Sequence, residues 1–367
     1  MSGSGKAGLR TIVPVGGLRV EKPWRVGLVT FHPGADRDSI LLPGALLSEV
    51  EMPYSEHIEQ VLSEAENGCV AIVHGVQDIE DVLTKVRASL DALRLFQLAR
   101  RLTMTPAFGL PGDVYRSPIR YIVVGDRTRP GGIFRGDAEG WTFDEDAQAD
   151  WERSPGFGFL NEALAAPDAS EGARRAVLGT RLFARAALDH ETDLKMLGLV
   201  AALEAWVVNR SRGPQTMLLA RHVSWFGCGV QEGDLCGRGR PICPYLRLVP
   251  GHKKDRERLV ELRKLGNTFF AWRCSEWHRV MDWYDRRSGA AHGDPSVADS
   301  AAASEAEFWI AHFLAEPIFE WLGSHRDDPV GALQAWLDEI SEPSDWQQML
   351  NALDSDDPPS VPPITSV

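Results

Sequence analysis

Apolar residues recur every three or four positions over long stretches between residues 171 and 325, and this repeat constrains the fold more than any other feature. The spacing is that of one buried face of an α-helix. It predicts helices over residues 173–188, 193–208 and 252–287, and a fourth that begins at Ser304, whose spacing to Glu307 is that of a capping box. Helices of this length predict an α-helical bundle.

The preceding part of the chain has a different pattern. Short β-branched runs of strand length occupy residues 25–31, 69–73 and 120–124, and a helical repeat covers residues 78–102. This alternation predicts an N-terminal α/β domain. The predicted fold class is therefore α+β, with the N-terminal domain at residues 1–165, the all-α bundle at 166–325, and an acidic C-terminal extension at 326–367. The extension is expected to contain a short helix at 344–353 and to be disordered from residue 354.

Composition bounds the compartment. The 367 residues are 44% hydrophobic and 25% charged, which is the balance of a folded protein with a sizeable core. The first 17 residues lack the apolar segment of a signal peptide, and the longest apolar stretch, residues 196–208, is too short for a bilayer. Five cysteines are an odd number and too few for a disulfide scaffold. We expect a cytoplasmic protein without a membrane partner.

The net charge of -13 argues against nonspecific coating of nucleic acid, but the charge is unevenly distributed. Residues 1–208 contain 22 basic and 29 acidic side chains, and residues 294–367 contain one basic and 15 acidic side chains. Residues 209–293 reverse the balance, with 16 basic against 8 acidic side chains. A phosphate-bearing partner such as RNA is therefore expected to bind in this middle segment.

The end of the third predicted helix carries a group of residues with plausible phosphate chemistry. Arg286, Arg287 and Ser288 are followed by His292, with Gly289 between them. Arginine can bind a phosphate through two parallel hydrogen bonds, and histidine can exchange a proton near neutral pH. We expect the helix to break at the glycine, so that Arg287 and His292 turn toward one site. The spacing alone is also common at solvated helix ends.

The surrounding sequence resembles the Apea-like branch of the HEPN family over about residues 172–323. Besides Arg287-x4-His292, the resemblance includes Ala186-Ala187-Leu188-Asp189 at one helix end and Asp193-Leu194 leading into Leu203-Glu204-Ala205. The sequence Tyr284-Asp285-x-Arg287-Ser288 before His292-Gly293 completes it.

The resemblance implies a HEPN-type helical bundle that forms a homodimer and brings two Arg/His pairs into a shared cleft. Many members are metal-independent endoribonucleases in toxin or phage-defence systems, which implies RNA as substrate, no cofactor for catalysis, and a partner protein or antitoxin. Arg287 and His292 inherit the catalytic roles, with Arg286 and Ser288 as secondary candidates. Ser288 replaces the Asn, Asp or His that follows the arginine in many catalytic members. The alternative is a non-catalytic HEPN dimer that binds RNA, a nucleotide or an acidic protein.

Glu204 is a further secondary candidate. Its apolar neighbours in the sequence suggest a buried carboxylate. Such a group can orient an arginine or histidine in the cleft, or it can form an ordinary salt bridge between helices.

A Cys/His-containing insertion at about residues 213–252 interrupts the bundle pattern. It holds three cysteines and two histidines that are candidate ligands of a structural zinc ion: Cys228, Cys236, Cys243, His222 and His252. The Cys-x2-Cys spacing of a zinc knuckle is absent from this segment. The alternative is a loop that contains reduced, partly buried cysteines.

Overall fold

The computed structural model is mostly helical, with a small antiparallel sheet in its N-terminal region, which confirms the α+β class. It describes residues 10–34, 68–75, 78–100, 121–124, 129–131, 141–189, 191–208, 215–227, 235–236, 240–241, 275–292 and 299–339.

The described part of the N-terminal sheet has six strands. They are β1 (Arg10–Val15), β3 (Trp24–Val26), β4 (Val29–Pro33), β5 (Cys69–His74), β6 (Tyr121–Val124) and β7 (Arg129–Gly131), in the order β3-β4-β5-β1-β6-β7. Every pairing within it is antiparallel. The N-terminal region is thus not the α/β arrangement predicted, because β1, the first described strand, lies between β5 and β6 and runs opposite to both. A separate parallel pair joins β2 (Leu18–Val20) to β8 (Trp141–Phe143).

The run at 25–31, predicted as one strand, is the hairpin β3–β4. The chain turns at Gly27, whose φ is 61°, a conformation that glycine adopts at little cost. The Gly27 amide donates a hydrogen bond of 2.7 Å to Asn161 Oδ1. A Cβ atom at this position would lie 2.7 Å from Leu164 Cβ. The turn therefore requires glycine both for its backbone conformation and for its close approach to a helix.

The helices follow the predicted pattern in part. They are α1 (Ile79–Arg100), α2 (Glu145–Arg153), α3 (Pro155–Ala165), α4 (Glu171–Leu188), α5 (Thr192–Val207), α6 (Gln215–Gly227), α7 (Ser275–Ala291), α8 (Ser300–Trp309), α9 (Ala315–Ser324) and α10 (Pro329–Glu339). A five-residue π-helical segment, Ile310–Leu314, joins α8 to α9. Two short strands, β9 (Leu235–Cys236) and β10 (Arg240–Pro241), pair with each other. Residues 252–274, the first part of the third predicted helix, lie outside the described residues.

The start of α8 corrects the predicted capping box. The helix begins at Ser300, and the Asp299 side chain caps it by accepting hydrogen bonds from the amides of Ala301 and Ala302. Ser304 therefore lies inside the helix. Glu307 is buried and forms an ion pair with Lys195 of α5 instead of reaching back to the helix start.

Helix α5 lies at the centre of the bundle, in contact with α4, α6, α7 and α8. Two glycines allow α4 and α5 to approach closely. A Cβ atom at Gly179 of α4 would lie 2.2 Å from Trp206 Nε1, and one at Gly198 of α5 would lie 2.6 Å from Ala186 Cβ. This packing places the C-terminal end of α5, which carries Glu204, inside the bundle.

The hydrophobic core is continuous across the boundary predicted at residue 165. Aromatic rings form a chain of contacts from the sheet to the bundle: Trp24–Trp151, Trp151–Phe157, Phe157–Phe319 and Phe319–Trp206, with centroid distances between 5.3 and 5.8 Å. The same buried cluster extends from the strands to Leu337 of α10. The predicted domains therefore share one core, although α3 does end at Ala165.

Two segments that the sequence placed outside the bundle belong to its core. In the predicted insertion, α6 buries Leu219 and Val223. In the predicted C-terminal extension, α10 buries Leu333 and Leu337, and its Trp336 ring lies 4.1 Å from that of Trp225. Residues 344–367, with the predicted short helix and tail, lie outside the described residues. Among the helices that the structure describes, none is long and apolar enough to cross a membrane.

Candidate functional site

The candidate site lies where the C-terminal end of α7 meets the C-terminal end of α5. Helix α7 is anchored there by Val280 and Trp283, which are both buried. Arg287 follows Trp283 by four residues and therefore lies on the same face of the helix, toward α5. The packing of α7 thus determines where the Arg287 side chain can reach.

Arg287 forms an ion pair with Glu204. Its Nη2 atom lies 3.6 Å from Glu204 Oε2, and the side chains are 26% and 6% exposed, respectively. This distance is that of an ion pair and is too long for a hydrogen bond. The contact agrees with both predicted roles of Glu204, since a carboxylate that orients an arginine and one that joins two helices make the same pair.

A second side chain helps to position the guanidinium group. The Cζ atom of Arg287 lies 5.3 Å from the centre of the Tyr284 ring, within the range of a cation–π interaction. Tyr284 was identified in the sequence as part of the motif, but its contact with Arg287 was not predicted. The spacing of three residues on one helix is the signal that identifies such a contact.

The end of α5 also attracts cations. Arg175 of α4 donates hydrogen bonds from Nη1 to the carbonyl oxygens of Ala205, at 2.8 Å, and Val208, at 3.0 Å. The last carbonyl groups of a helix lack partners within the helix and carry partial negative charge. Arg175 therefore satisfies the helix end, and Arg287 interacts with the carboxylate one turn earlier.

His292 is exposed and lies directly after the last residue of α7. Its amide donates to the carbonyl oxygens of Ser288, at 3.2 Å, and Gly289, at 3.0 Å. The helix therefore continues through Gly289, contrary to the predicted break. Positions five residues apart on a helix point about 140° away from each other. Within one chain, Arg287 and His292 consequently do not share a helix face.

The neighbouring candidates have different surroundings. Arg286 donates to Asp282 Oδ2 at 2.7 Å and to Asp299 Oδ2 at 3.3 Å, so it joins α7 to the residue that caps α8. The hydrogen bond to Asp282 raises the pKa of Arg286 above its ordinary value. Ser288 is partly buried in the last turn of α7. The structure thus separates the two arginines, since Arg286 is held between two aspartates and Arg287 faces the bundle.

The proposed zinc ligands lie mainly beyond the described residues. Cys228, Cys243 and His252 lie outside them, and Cys236 is in β9. His222 is buried in α6, with Nδ1 at 2.6 Å from the Val207 carbonyl oxygen and Nε2 at 3.1 Å from Gln334 Oε1. These contacts favour a structural role for His222, because a zinc ligand needs a ring nitrogen for the metal.

Within the described ranges, no three metal-binding side chains form a cluster. The zinc site stays a prediction.

Arg287 retains hydrogen-bonding capacity toward a ligand. A guanidinium group has five N–H donors, and the Arg287 side chain is 26% exposed, with Nη2 too far from Glu204 for a hydrogen bond. The site thus combines a positioned, partly exposed arginine and, at the end of the same helix, an exposed histidine. Such groups can bind a phosphate and exchange a proton.

Comparison with known proteins adds no assignment: no family model matches the chain, and no curated protein or solved structure matches it.

Proposed function

We propose that the protein is a metal-independent endoribonuclease of HEPN type that acts as a homodimer. The observation that carries this proposal is the position of Arg287, which Glu204 and Tyr284 hold at the end of α7 while the side chain stays 26% exposed. His292 is exposed at the same helix end. Arginine and histidine are sufficient for RNA cleavage, because the nucleophile belongs to the substrate.

In the proposed reaction, the 2′-hydroxyl oxygen of a ribose attacks the adjacent phosphorus, and the bond from phosphorus to the 5′-oxygen of the next nucleotide breaks. The products are a 2′,3′-cyclic phosphate and a 5′-hydroxyl end. A neutral His292 accepts the proton of the 2′-hydroxyl, and a protonated His292 donates one to the leaving oxygen. Arg287 offsets the charge that develops on the phosphate oxygens.

The geometry of α7 supports a composite site. Arg287 lies toward Glu204 of the bundle, whereas His292 is exposed directly after the end of α7. A second copy, packed against the helix ends, supplies a second Arg/His pair to the same cleft. Two histidines in one cleft also account for both proton transfers, one as base and one as acid.

The biological setting that we propose follows the family resemblance. It includes a toxin or phage-defence role, a cytoplasmic location, and a partner protein or antitoxin that restrains the nuclease. The basic segment at residues 209–293, which contains Arg287, is where RNA is expected to bind.

An RNA cleavage assay in the presence of a chelator tests the proposal. His292→Ala removes the proton-transfer group and is expected to lower the cleavage rate by about 10²–10⁴-fold. Arg287→Ala is expected to reduce it strongly as well. Arg286→Ala is the matched control, because Arg286 lies on the same helix but is held by Asp282 and Asp299. Cleavage that survives both the His292 and Arg287 changes, or that is lost equally in the control, contradicts the proposal.

The second candidate is a non-catalytic HEPN dimer that binds RNA, a nucleotide or an acidic protein. The observation in its favour is that both arginines already have carboxylate partners. This function predicts intact RNA after incubation with the protein. It also predicts binding that weakens steeply with ionic strength, because several Lys and Arg residues displace counterions from phosphates.

A further inference from the structure

A cleft in the N-terminal region lies apart from the residues of the proposed nuclease site. It has a volume of about 430 Å³ and opens between the start of β3 and the helices α2 and α3. Its lining includes Lys22, Trp24, Arg25, Trp151, Gly158 and Asn161. The volume is within the range of pockets that bind small organic ligands.

The cleft is rich in hydrogen-bond donors. The Gly27 amide donates to Asn161 Oδ1, so the amide nitrogen of Asn161 is left with two N–H donors. Arg25 uses Nε for a hydrogen bond of 3.2 Å to the Gly27 carbonyl oxygen, which leaves its terminal nitrogens for a ligand. Lys22 lies 3.8 Å from Glu145, but both side chains are largely exposed, and such pairs are weak.

Two tryptophans in the wall of the cleft have unsatisfied donors. Trp24 and Trp151 are almost fully buried, and neither indole nitrogen has a hydrogen-bond partner among the described residues. An indole N–H can only donate, and a buried donor without an acceptor costs about 1–3 kcal/mol. Among the described lining residues, Glu152 is the one carboxylate, so with Lys22 and Arg25 the net charge of these residues is positive. Both indole nitrogens are shielded from solvent, so the donors within reach of a ligand are those of Lys22, Arg25 and Asn161, which suit acceptor oxygens and negative charge.

Gly158 of α3 leaves open space beside the cleft. Glycine inside a helix is less favourable than alanine by about 0.5–1 kcal/mol. Three other helical glycines, Gly156, Gly179 and Gly198, have a steric reason, since a Cβ atom at each would lie 2.4, 2.2 and 2.6 Å from its nearest neighbour. A Cβ atom at Gly158 would meet nothing within 4 Å. The glycine therefore widens the cleft without serving the packing of the protein.

We propose that this cleft binds a small phosphorylated molecule of nucleotide size. Lys22 and Arg25 face its phosphate, which supplies three strong acceptor oxygens, and Asn161 donates to it. The space over Gly158 accommodates the remainder of the molecule. The proposal does not rest on the ribonuclease activity, and it gives the N-terminal region a ligand of its own.

The test uses the full chain labelled with ¹⁵N-tryptophan and follows the indole N–H resonances during titration with adenosine 5′-monophosphate. Trp24→Phe and Trp151→Phe assign the two signals of interest among the 12 tryptophans. Both signals are expected to shift saturably with adenosine monophosphate. Adenosine should bind at least tenfold more weakly, because it lacks the phosphate and a charge-assisted hydrogen bond contributes about 1.5–3 kcal/mol. Inorganic phosphate should also bind more weakly, because it leaves the space over Gly158 unfilled.

Gly158→Leu and Gly158→Ala form a matched pair of variants. Leucine fills the cleft and should abolish the shifts, whereas alanine should preserve them, and neither meets a neighbouring atom at its Cβ position. Arg25→Gln should weaken binding about tenfold or more. Unchanged indole signals at saturating adenosine monophosphate overturn the proposal. The proposal is also overturned if adenosine or inorganic phosphate binds as tightly as the nucleotide. The same holds if the Gly158→Leu variant binds adenosine monophosphate as tightly as the wild type does.

Discussion

The Glu204–Arg287 pair allows the site to be tested as a physical unit through stability. Two unit charges 3.6 Å apart attract each other by about 4–5 kcal/mol at an effective dielectric constant of about 20. Burial of the Glu204 carboxylate costs several kcal/mol, which offsets most of this attraction. Loss of one member of a fully buried pair costs about 3–5 kcal/mol. Arg287 is 26% exposed, so we expect about 2 kcal/mol for Glu204→Gln and for Arg287→Met.

The assay is a double-mutant cycle by urea unfolding, followed by tryptophan fluorescence and circular dichroism at one protomer concentration. If the two side chains stabilise each other, the double variant should be less destabilised than the sum of the single variants, by about 1–2 kcal/mol. A coupling energy below about 0.5 kcal/mol contradicts the pair as a stabilising contact. The slope of the unfolding curve must also stay constant, since a changed slope indicates an altered unfolded or native state.

The same variants separate the two roles of Glu204. If the carboxylate orients Arg287 for catalysis, Glu204→Gln lowers the cleavage rate at temperatures where the variant is still folded. If the pair only joins α5 to α7, the rate per folded molecule stays near that of the wild type. Circular dichroism at the assay temperature provides the folded fraction.

Three further predictions concern the framework of the fold. Gly179→Ala should lower the thermal unfolding midpoint, because the added Cβ atom would lie 2.2 Å from Trp206 Nε1. Gly158→Ala should raise the free energy of unfolding by about 0.5–1 kcal/mol, because its Cβ atom would meet no neighbour. Equal unfolding midpoints of the two variants would contradict this reasoning. Burial raises the pKa of Asp91 to about 6, so the folded state binds the proton of this carboxyl more tightly than the unfolded state does. The free energy of unfolding should therefore fall by about 2–3 kcal/mol from pH 4 to pH 7, relative to the Asp91→Asn variant. Parallel pH profiles of the two proteins would refute that assignment. If the acidic tail after residue 353 covers the basic segment at residues 209–293, a chain that ends at residue 353 keeps α10 and should bind RNA more tightly. A chain that ends at residue 325 loses buried Leu333 and Leu337 and should be destabilised. RNA affinity and unfolding curves distinguish these outcomes.

Helical periodicity predicted α4 and α5 to within two residues at each end, because most of their buried positions are apolar and regularly spaced. The same reasoning missed α6, in which Arg221, His222 and Ser224 are buried among the apolar residues. Buried polar side chains remove the contrast on which a periodicity argument depends. Local signals were also insufficient at α8, where Asp299 caps the helix five residues before Ser304.

The strands were predicted by composition, but their topology was not. Antiparallel pairing of β1 with β5 and β6 depends on contacts between distant residues, which no local pattern reveals. Within the site, the sequence indicated Arg287, His292 and Glu204 as candidates. The ion pair between Arg287 and Glu204 follows from the packing of α7 on α5, and the separation of Arg287 from His292 follows from the continuation of α7 past Gly289.

The most direct test of the central proposal is cleavage of end-labelled RNA by the purified wild-type protein and by His292→Ala, in chelator and at equal protomer concentration. The proposal predicts fragments with a 2′,3′-cyclic phosphate for the wild type and a rate about 10²–10⁴-fold lower for the variant. Intact RNA with the wild type, or equal cleavage by both proteins, would contradict it.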